Sequence, residues 1–151
     1  MGKFPFDLLE EGKKSRRSLV HAPAVSIRQR VCFMAGDALH LPKRLGAFDL
    51  LLAANLIDRL PHPKRFLSQV LPSLVNPGGM VLITSPYTWT TEYTPSSHWL
   101  GSSSTDSFSA LKKILHPSFR IIDRTNLPFL LRETRRKFQY TFADATIWQK
   151  L

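Results

Sequence analysis

The stretch FDLLLAANL at residues 48–56 decides the fold, because it is a nearly unbroken apolar run that ends in polar Asn55. A second such run, MVLITS at residues 80–85, follows the turn sequence PGG at residues 77–79. The segment between the two runs is amphipathic, with apolar residues at helical spacing. Strand, helix, glycine turn and strand in this order are typical of a βαβ unit whose sheet is covered on both faces. We therefore predict an α/β fold.

The carboxyl ends of the predicted strands are where we expect function, since ligands of open α/β sheets bind there. Ala54, Asn55 and Leu56 end or follow the first strand, and Tyr87 follows the second. Aromatic side chains on the long polar loop at residues 85–105 can close over a planar substrate and exclude water. The sequence therefore predicts a ligand cleft at this rim of the sheet.

A shorter apolar run, VCFM at residues 31–34, predicts another strand, which would place Asp37 on the same rim. The Asp37 carboxylate can accept from an amine such as the adenine amino group, and the backbone N–H of Ala38 can donate to a ring nitrogen. Two plainer interpretations remain open at this point. Asp37 can equally be a loop acid or a helix cap, and Trp89 and Trp99 can simply pack the loop.

The rest of the chain divides into two predicted parts. Residues 1–30 are predicted to form a helical and connecting segment, with a helix-compatible stretch at residues 7–11. Residues 31–151 are predicted to form the α/β part. Pro72 lies inside the helical pattern and is expected to kink or split that helix, because proline lacks the amide hydrogen. The remaining predictions are a helix N-cap at Asp106, a strand at residues 119–123, and a final strand at residues 140–148 that pairs antiparallel with it across a long excursion.

Composition limits the classes of function. Hydrophobic residues make up 43% of 151 residues, enough for a core, and no apolar run approaches the roughly 20 residues of a membrane span. The formal charge of +10 would attract nucleic acid or other anions. The basic clusters at residues 13–17 and 132–137 lack the interleaved aromatics of a stacking platform, so nucleic-acid binding ranks last. The single cysteine, Cys32, is predicted to be buried, in a reducing, cytoplasmic setting, and no Cys/His spacing predicts a metal site.

Several motifs resemble one known family. Their order resembles the second half of a class I S-adenosylmethionine-dependent methyltransferase: GDA at 36–38, FDLLLAAN at 48–55 and PGG at 77–79. More specific stretches resemble the C-terminal methyltransferase domain of ovothiol-biosynthesis enzymes, the 4-mercaptohistidine N-methyltransferases: ANLIDRLP at 54–61, TSPYTW at 84–89 and RETRRKFQ at 132–139. The resemblance runs from about Phe6 to the C-terminus. It implies a partial Rossmann-like sheet, mostly parallel with an antiparallel last strand, and flanking helices.

The resemblance also implies a cofactor, an acceptor and a set of contacts. The cofactor would be S-adenosylmethionine, with Asp37 and Ala38 at its adenine, and Ala54, Asn55 and Leu56 on the methionine and substrate side. The acceptor would be an imidazole nitrogen of a mercaptohistidine. Aromatic and charged side chains suit such a zwitterionic acceptor, and the candidates are Tyr87, Trp89, Trp99, Arg132 and Glu133. Methyl transfer depends mainly on positioning two reactants, so we assign no catalytic residue.

The chain departs from the family in one respect. The glycine-rich cofactor loop and its two flanking strands have no counterpart in this sequence. We therefore expect one edge of the strand at residues 48–54 to be open and liable to pair with a second copy or a complementing chain. We also expect the chain alone to be weakly stable or unable to bind cofactor. Two alternatives to an enzyme remain: an inactive remnant that binds or dimerises through this edge, and a basic nucleic-acid-binding protein.

Overall fold

The computed structural model describes residues 2–151, which form two units. The first, here named the hairpin unit, comprises the residues before Gly36 together with Phe129–Thr141. The second, named the sheet unit, comprises Gly36–Pro128 together with Phe142–Leu151. Among the described residues, no helix is both long enough and apolar enough to cross a membrane.

The hairpin unit begins with two antiparallel strands, β1 (Lys3–Glu11) and β2 (Lys14–His21). Gly12, with a φ of 53°, lies in the tight turn between them, where a left-handed backbone favours glycine. The helix expected at residues 7–11 was therefore wrong. A helix of that length is not stable alone, whereas the strand gains a paired neighbour. A single short helix, α1 (Val25–Arg28), follows.

The strand predicted at residues 31–34 was also wrong, because this segment has no regular structure. Phe33 is 93% exposed, and Cys32 is exposed rather than buried. A lone strand has no partner for its backbone hydrogen bonds, and no strand of either sheet pairs with this segment among residues 2–151. The apolar residues that resembled a core strand are consequently left in solvent.

The sheet unit contains a four-stranded sheet, two strands of which run on into residues 129–132 and 138–141 of the hairpin unit. Its strands are β3 (Phe48–Ala54), β4 (Val75–Ser85), β5 (Phe119–Arg132) and β6 (Phe138–Lys150), in the order β3-β4-β6-β5. β3 and β4 are parallel, and β4 and β6 are antiparallel. The α/β class and the antiparallel last strand are confirmed. The long excursion between β5 and β6 was wrong, because the two strands are longer than predicted and only residues 133–137 join them.

Two helical segments flank the sheet. The first, α2 (residues 63–73), consists of an α turn, a π turn at Phe66–Val70 and a second α turn. The N–H of Leu71 bonds to the carbonyl of Phe66, five residues back. The regular α-helix is thus interrupted just before Pro72, where a break was predicted, and helical structure continues through Pro72 to Ser73. The second, α3 (Ser107–Leu115), is capped by Asp106, whose side chain accepts from the N–H of Ser109 at 2.9 Å, as predicted.

The core lies on one face of the sheet. The register places Leu51 beside Val81 and Val81 beside Trp148, and Val81 and Trp148 are buried together with α2 and α3 side chains. On the opposite face, Leu50 is 64% and Leu52 is 61% exposed. The prediction of a sheet covered on both faces was therefore wrong for the described residues. β3 is an edge strand of this sheet, as expected.

Candidate active site at the carboxyl ends of β3 and β4

The carboxyl end of β3 is joined to that of β4 by Asn55. Its backbone N–H donates to the carbonyl of Thr84 at 2.9 Å and lies 3.1 Å from the Thr84 hydroxyl. That hydroxyl donates in turn to Oδ1 of Asn55 at 2.9 Å. Asn55 has a φ of 48°, a left-handed conformation that asparagine tolerates better than most residues. The chain thus turns sharply at the end of β3 and leaves Asn55 exposed at the rim.

The carboxyl end of β4 turns in a similar way at Tyr87, which has a φ of 51°. Its backbone N–H donates to the hydroxyl of Ser85 at 3.0 Å. Among residues 2–151, Asn55 and Tyr87 are the two non-glycine residues with positive φ. A left-handed conformation costs a bulky residue such as tyrosine roughly 1–3 kcal/mol. Both conformations therefore depend on the bonds around them, and both occur where the sequence predicted a rim.

A buried carboxylate, Asp58, ties the two turns together. It lies in the short 3₁₀ turn Ile57–Arg59 and is fully buried. Oδ1 accepts from the hydroxyl of Ser85 at 3.2 Å, and Oδ2 accepts from both the backbone N–H and the hydroxyl of Thr88 at 3.1 Å. Arg59 adds an ion pair to Oδ2 at 3.3 Å. The carboxylate therefore fixes the loop after β4 against the loop after β3.

Tyr87 belongs to a second polar cluster with Asp144 of β6. The Tyr87 hydroxyl donates to Oδ2 of Asp144 at 3.0 Å, and Nε of Arg124 donates to Oδ1 at 2.8 Å. The Arg124 guanidinium also stacks over the Phe108 ring, 3.6 Å from its centroid. Burial, followed by the charge of Asp144, raises the pKa of Tyr87 above its usual value, and the bond to Asp144 raises the pKa of Arg124. Tyr87 is therefore held protonated.

The two predicted tryptophans have separate surroundings within the sheet unit. Trp89 is half-buried, and its indole N–H donates to the hydroxyl of Ser107 at 3.1 Å. Trp99 is 38% exposed, and its indole N–H donates to the carbonyl of Thr94 at 2.9 Å. Trp99 also lines a cleft of about 390 Å³ whose wall includes His98. Both indoles are thus held in place by hydrogen bonds, and neither residue is fully buried.

Asp37 and Ala38 lie on an irregular segment rather than after a strand. Oδ1 of Asp37 accepts from the backbone N–H of Leu39 at 2.9 Å, and Oδ2 lies 2.6 Å from Nδ1 of His40. The hydrogen bond to His40 is the main cause of a pKa of Asp37 below its usual value. Both oxygens are therefore engaged within the local turn. Contact of Asp37 or Ala38 with an adenine stays a prediction.

Arg132 and Glu133 belong to the hairpin unit, whereas Tyr87, Trp89 and Trp99 belong to the sheet unit. Nη2 of Arg132 lies 3.6 Å from the Glu10 carboxylate. Glu133 pairs with Lys137, and the hydrogen bond from Lys137 is the main cause of a pKa of Glu133 below its usual value. Both charges thus have partners inside the hairpin unit, and their role toward an acceptor stays a prediction.

Asp58, Arg124 and Asp144 were not predicted as site residues from the sequence. Asp58 lies in the family-like stretch at residues 54–61, which could have indicated it, since a carboxylate among apolar residues needs hydrogen-bond partners. Arg124 and Asp144 are 20 residues apart in sequence, and only the pairing of β5 with β6 makes them neighbours.

The sequence was compared with family models and with known proteins. No family model matches the chain. Norajmaline N-methyltransferase of Rauvolfia serpentina is 33% identical over 64 residues, which is 42% of this chain and 22% of that protein.

Solved structures show the same fold. The N-methyltransferase NodS from Bradyrhizobium japonicum WM9, in complex with S-adenosyl-L-homocysteine, superposes with a TM-score of 0.53 at 14% identity. A structure described as the conversion of a disulfide bond into a thioacetal group during echinomycin biosynthesis superposes with a TM-score of 0.57, also at 14% identity. Each match covers 83% of this chain and 58% of the other. The chain therefore has an α/β fold like that of methyltransferase structures and spans little more than half their length.

Proposed function

We propose that the sheet unit, which has the fold of methyltransferase structures, binds S-adenosylmethionine at the carboxyl ends of β3 and β4 and takes part in methyl transfer to a nitrogen. The observation that carries this proposal is the pair of left-handed residues, Asn55 and Tyr87, directly beyond two adjacent parallel strands. Backbone strain of this kind concentrates at ligand sites, where it is part of the local design. The rim of a parallel pair is also where open α/β sheets bind ligands.

The residues at this rim fit the cofactor in part. Asn55 uses its Oδ1 to accept from Thr84, so the side-chain amide N–H groups are what it can offer to a ligand. Leu56 is half-buried and offers apolar surface next to them. Asp37 accepts one local hydrogen bond at each carboxylate oxygen, and each oxygen has a second lone pair that can accept from an adenine amino group. When bound, the cofactor supplies an electrophilic methyl group.

The surrounding side chains position the reactants rather than remove a proton. Tyr87 has a raised pKa and keeps its proton near neutral pH, so its hydroxyl does not act as a base. The carboxylate of Asp144 already accepts from Tyr87 and Arg124. Holding two reactants in line can itself supply most of the acceleration of a displacement. We therefore assign no proton acceptor in this chain.

The acceptor we propose is an imidazole nitrogen of a mercaptohistidine. The support is the resemblance of TSPYTW at residues 84–89 to the ovothiol-biosynthesis family, together with the likeness to two proteins named as N-methyltransferases. Tyr87 and Trp89 both lie in that stretch, and Trp89 is half-buried, with its indole N–H bonded to Ser107. An aromatic face suits a planar imidazole.

The three indole N–H signals in an amide NMR spectrum test this acceptor site. In the presence of S-adenosylhomocysteine, mercaptohistidine should shift the signal of Trp89, and of Trp99 if that residue also contributes. Trp148 is 1% exposed in the core and serves as the internal control. Tryptophan-to-phenylalanine variants assign the three signals. A titration that leaves Trp89 unmoved while the protein stays folded would contradict this acceptor site.

A second candidate is a dimer through β3. Leu50 and Leu52 are exposed on a strand whose outer edge has no partner in the four-stranded sheet. Such an edge pairs readily with another copy. Sedimentation velocity should show concentration-dependent association that Leu50→Lys abolishes. Leu151→Lys, at a terminal residue that is 68% exposed, is the matched control and should leave association unchanged. A protein that is monomeric at all concentrations would exclude this candidate.

A further inference from the structure

Three arginines surround one carboxylate in the hairpin unit. Glu10 of β1 has a side chain only 14% exposed. Its Oε1 lies 3.5 Å from Nε of Arg16 and 3.6 Å from Nη2 of Arg132, and its Oε2 lies 3.9 Å from Nη1 of Arg135. We name these four residues the Glu10 cluster. Its members come from β1, β2 and the segment around residues 132–135, so the fold rather than the sequence assembles them.

The cluster is held in place by hydrogen bonds that do not use the carboxylate. The backbone N–H of Arg135 donates to the carbonyl of Glu10 at 3.1 Å. Nε of Arg132 donates to the carbonyl of Thr134 at 3.0 Å. Arg132 and Arg135 are therefore positioned by the backbone of the hairpin unit, and the guanidinium N–H groups that these bonds do not use can bind a ligand beside Glu10.

The charges in the cluster do not balance. Three guanidinium groups and one carboxylate leave a formal charge of +2, and all three separations exceed the roughly 2.7–2.9 Å of a charge-assisted hydrogen bond. The imbalance extends to the whole hairpin unit. Eleven of the 21 Lys and Arg residues and four of the 11 Asp and Glu residues lie there, so the unit carries +7 of the formal +10. This field favours an anionic ligand.

The same residues line a cleft of about 450 Å³, together with Phe138, which is 50% exposed. We infer that this cleft binds a small molecule bearing a phosphoryl group. A phosphate monoester carries about −1.5 to −2 charges at pH 7, which matches the charge of the cluster. Its several oxygens can be bound by planar guanidinium forks from different directions. The Phe138 ring offers an apolar contact for the rest of the molecule.

Calorimetric titration of the full chain with inorganic pyrophosphate at low salt tests this site. Arg132→Gln and Arg135→Gln should each weaken binding about tenfold, since each removes a charged donor. Arg30→Gln, at an exposed arginine of the same unit outside the cluster, is the control and should bind like the unchanged protein. Glu10→Gln should strengthen binding about threefold or more, because it removes a like charge from the cleft.

The arginine variants and Glu10→Gln are expected to change pyrophosphate affinity in opposite directions. This difference distinguishes a binding site from an ion-pair cluster that only stabilises the fold. If the cluster only holds the fold together, Glu10→Gln lowers the thermal midpoint and weakens binding as the arginine variants do. That result would overturn the inference, as would equal pyrophosphate affinity in Arg132→Gln, Arg135→Gln and the unchanged protein, or no binding at all. A parallel titration with a short oligothymidylate identifies the source of the phosphoryl group. Tighter binding to pyrophosphate than to the oligonucleotide is expected for a cleft of this size.

Discussion

The hydroxyl of Tyr87 donates a 3.0 Å hydrogen bond to Asp144, and this bond links the left-handed turn after β4 to the buried part of β6. Asp144 is 9% exposed and also receives Nε of Arg124. A strained tyrosine is therefore anchored at its backbone by Ser85 and at its hydroxyl by a carboxylate. The geometry of the proposed acceptor site depends on that pair.

Removing either partner of this pair should destabilise the protein. Tyr87→Phe should cost about 1–3 kcal/mol of unfolding free energy, because one carboxylate oxygen loses its donor. Asp144→Asn should cost at least as much, since it also weakens the bond from Arg124. A double-mutant cycle by urea denaturation should give a coupling of about 1 kcal/mol between the two sites. Additive effects would show that the hydroxyl and the carboxylate do not interact.

The raised pKa of Tyr87 predicts how stability depends on alkaline pH. A group whose pKa is higher in the folded state stabilises the protein fully below its unfolded pKa of about 10, and this contribution falls as pH rises toward the folded pKa. Ultraviolet absorbance should therefore show that one of the three tyrosines does not ionise until the protein unfolds. Tyr87→Phe should remove that late step. A late step that persists in this variant would contradict the assignment.

Replacing Asp58 should destabilise the protein much more than replacing Asp49. Asp58→Ala leaves Ser85, Thr88 and Arg59 without their buried acceptor and should cost about 3–5 kcal/mol. Asp49→Ala removes one exposed bond from Asn76 and should cost less than about 0.5 kcal/mol. Urea denaturation measures both changes from the shift in midpoint, provided that the dependence of unfolding free energy on urea concentration is equal in the variants. Equal costs would show that Asp58 does not fix the two loops.

Gly79 lies in the bulged part of β4, and its replacement tests how tightly this bulge is packed. The register between β3 and β4 shifts between Phe48 and Leu50, where the segment before Met80 bulges. A Cβ at Gly79 would lie 2.9 Å from the carbonyl oxygen of Asn76 and 3.1 Å from that of Asp49. Because both contacts are with backbone, Gly79→Ala should lower the thermal midpoint by several degrees, from a cost of about 1–3 kcal/mol. An unchanged midpoint would show that this bulge can open freely.

The parallel strand pair of the sheet unit could be predicted from the sequence, because its apolar runs coincide with its strands. FDLLLAA at β3 and MVLITS within β4 are continuous apolar strands, and the helical spacing between them marks α2. The proline break and the Asp106 cap were likewise predictable, since both act through neighbouring residues. Local chemistry was sufficient at these positions.

The errors arose where the outcome depends on distant residues. The segment at residues 31–34 has the composition of a strand, but no neighbouring strand pairs with it. The stretch at residues 3–11 pairs with β2, which its own pattern did not indicate. The clusters around Asp58, Asp144 and Glu10 join residues from several strands and loops, so no local pattern could assemble them.

The rim formed by Asn55 and Tyr87 is tested most directly by an amide NMR titration with S-adenosylhomocysteine at millimolar concentrations. We expect weak, saturable binding that shifts the backbone amides of Asn55, Leu56 and Tyr87, with little change in the hairpin unit. Asp58→Asn should reduce these shifts, because it loosens both loops at the rim. A folded protein whose rim amides do not move, or whose shifts are confined to the cleft beside Trp99 and His98, would contradict the proposed site.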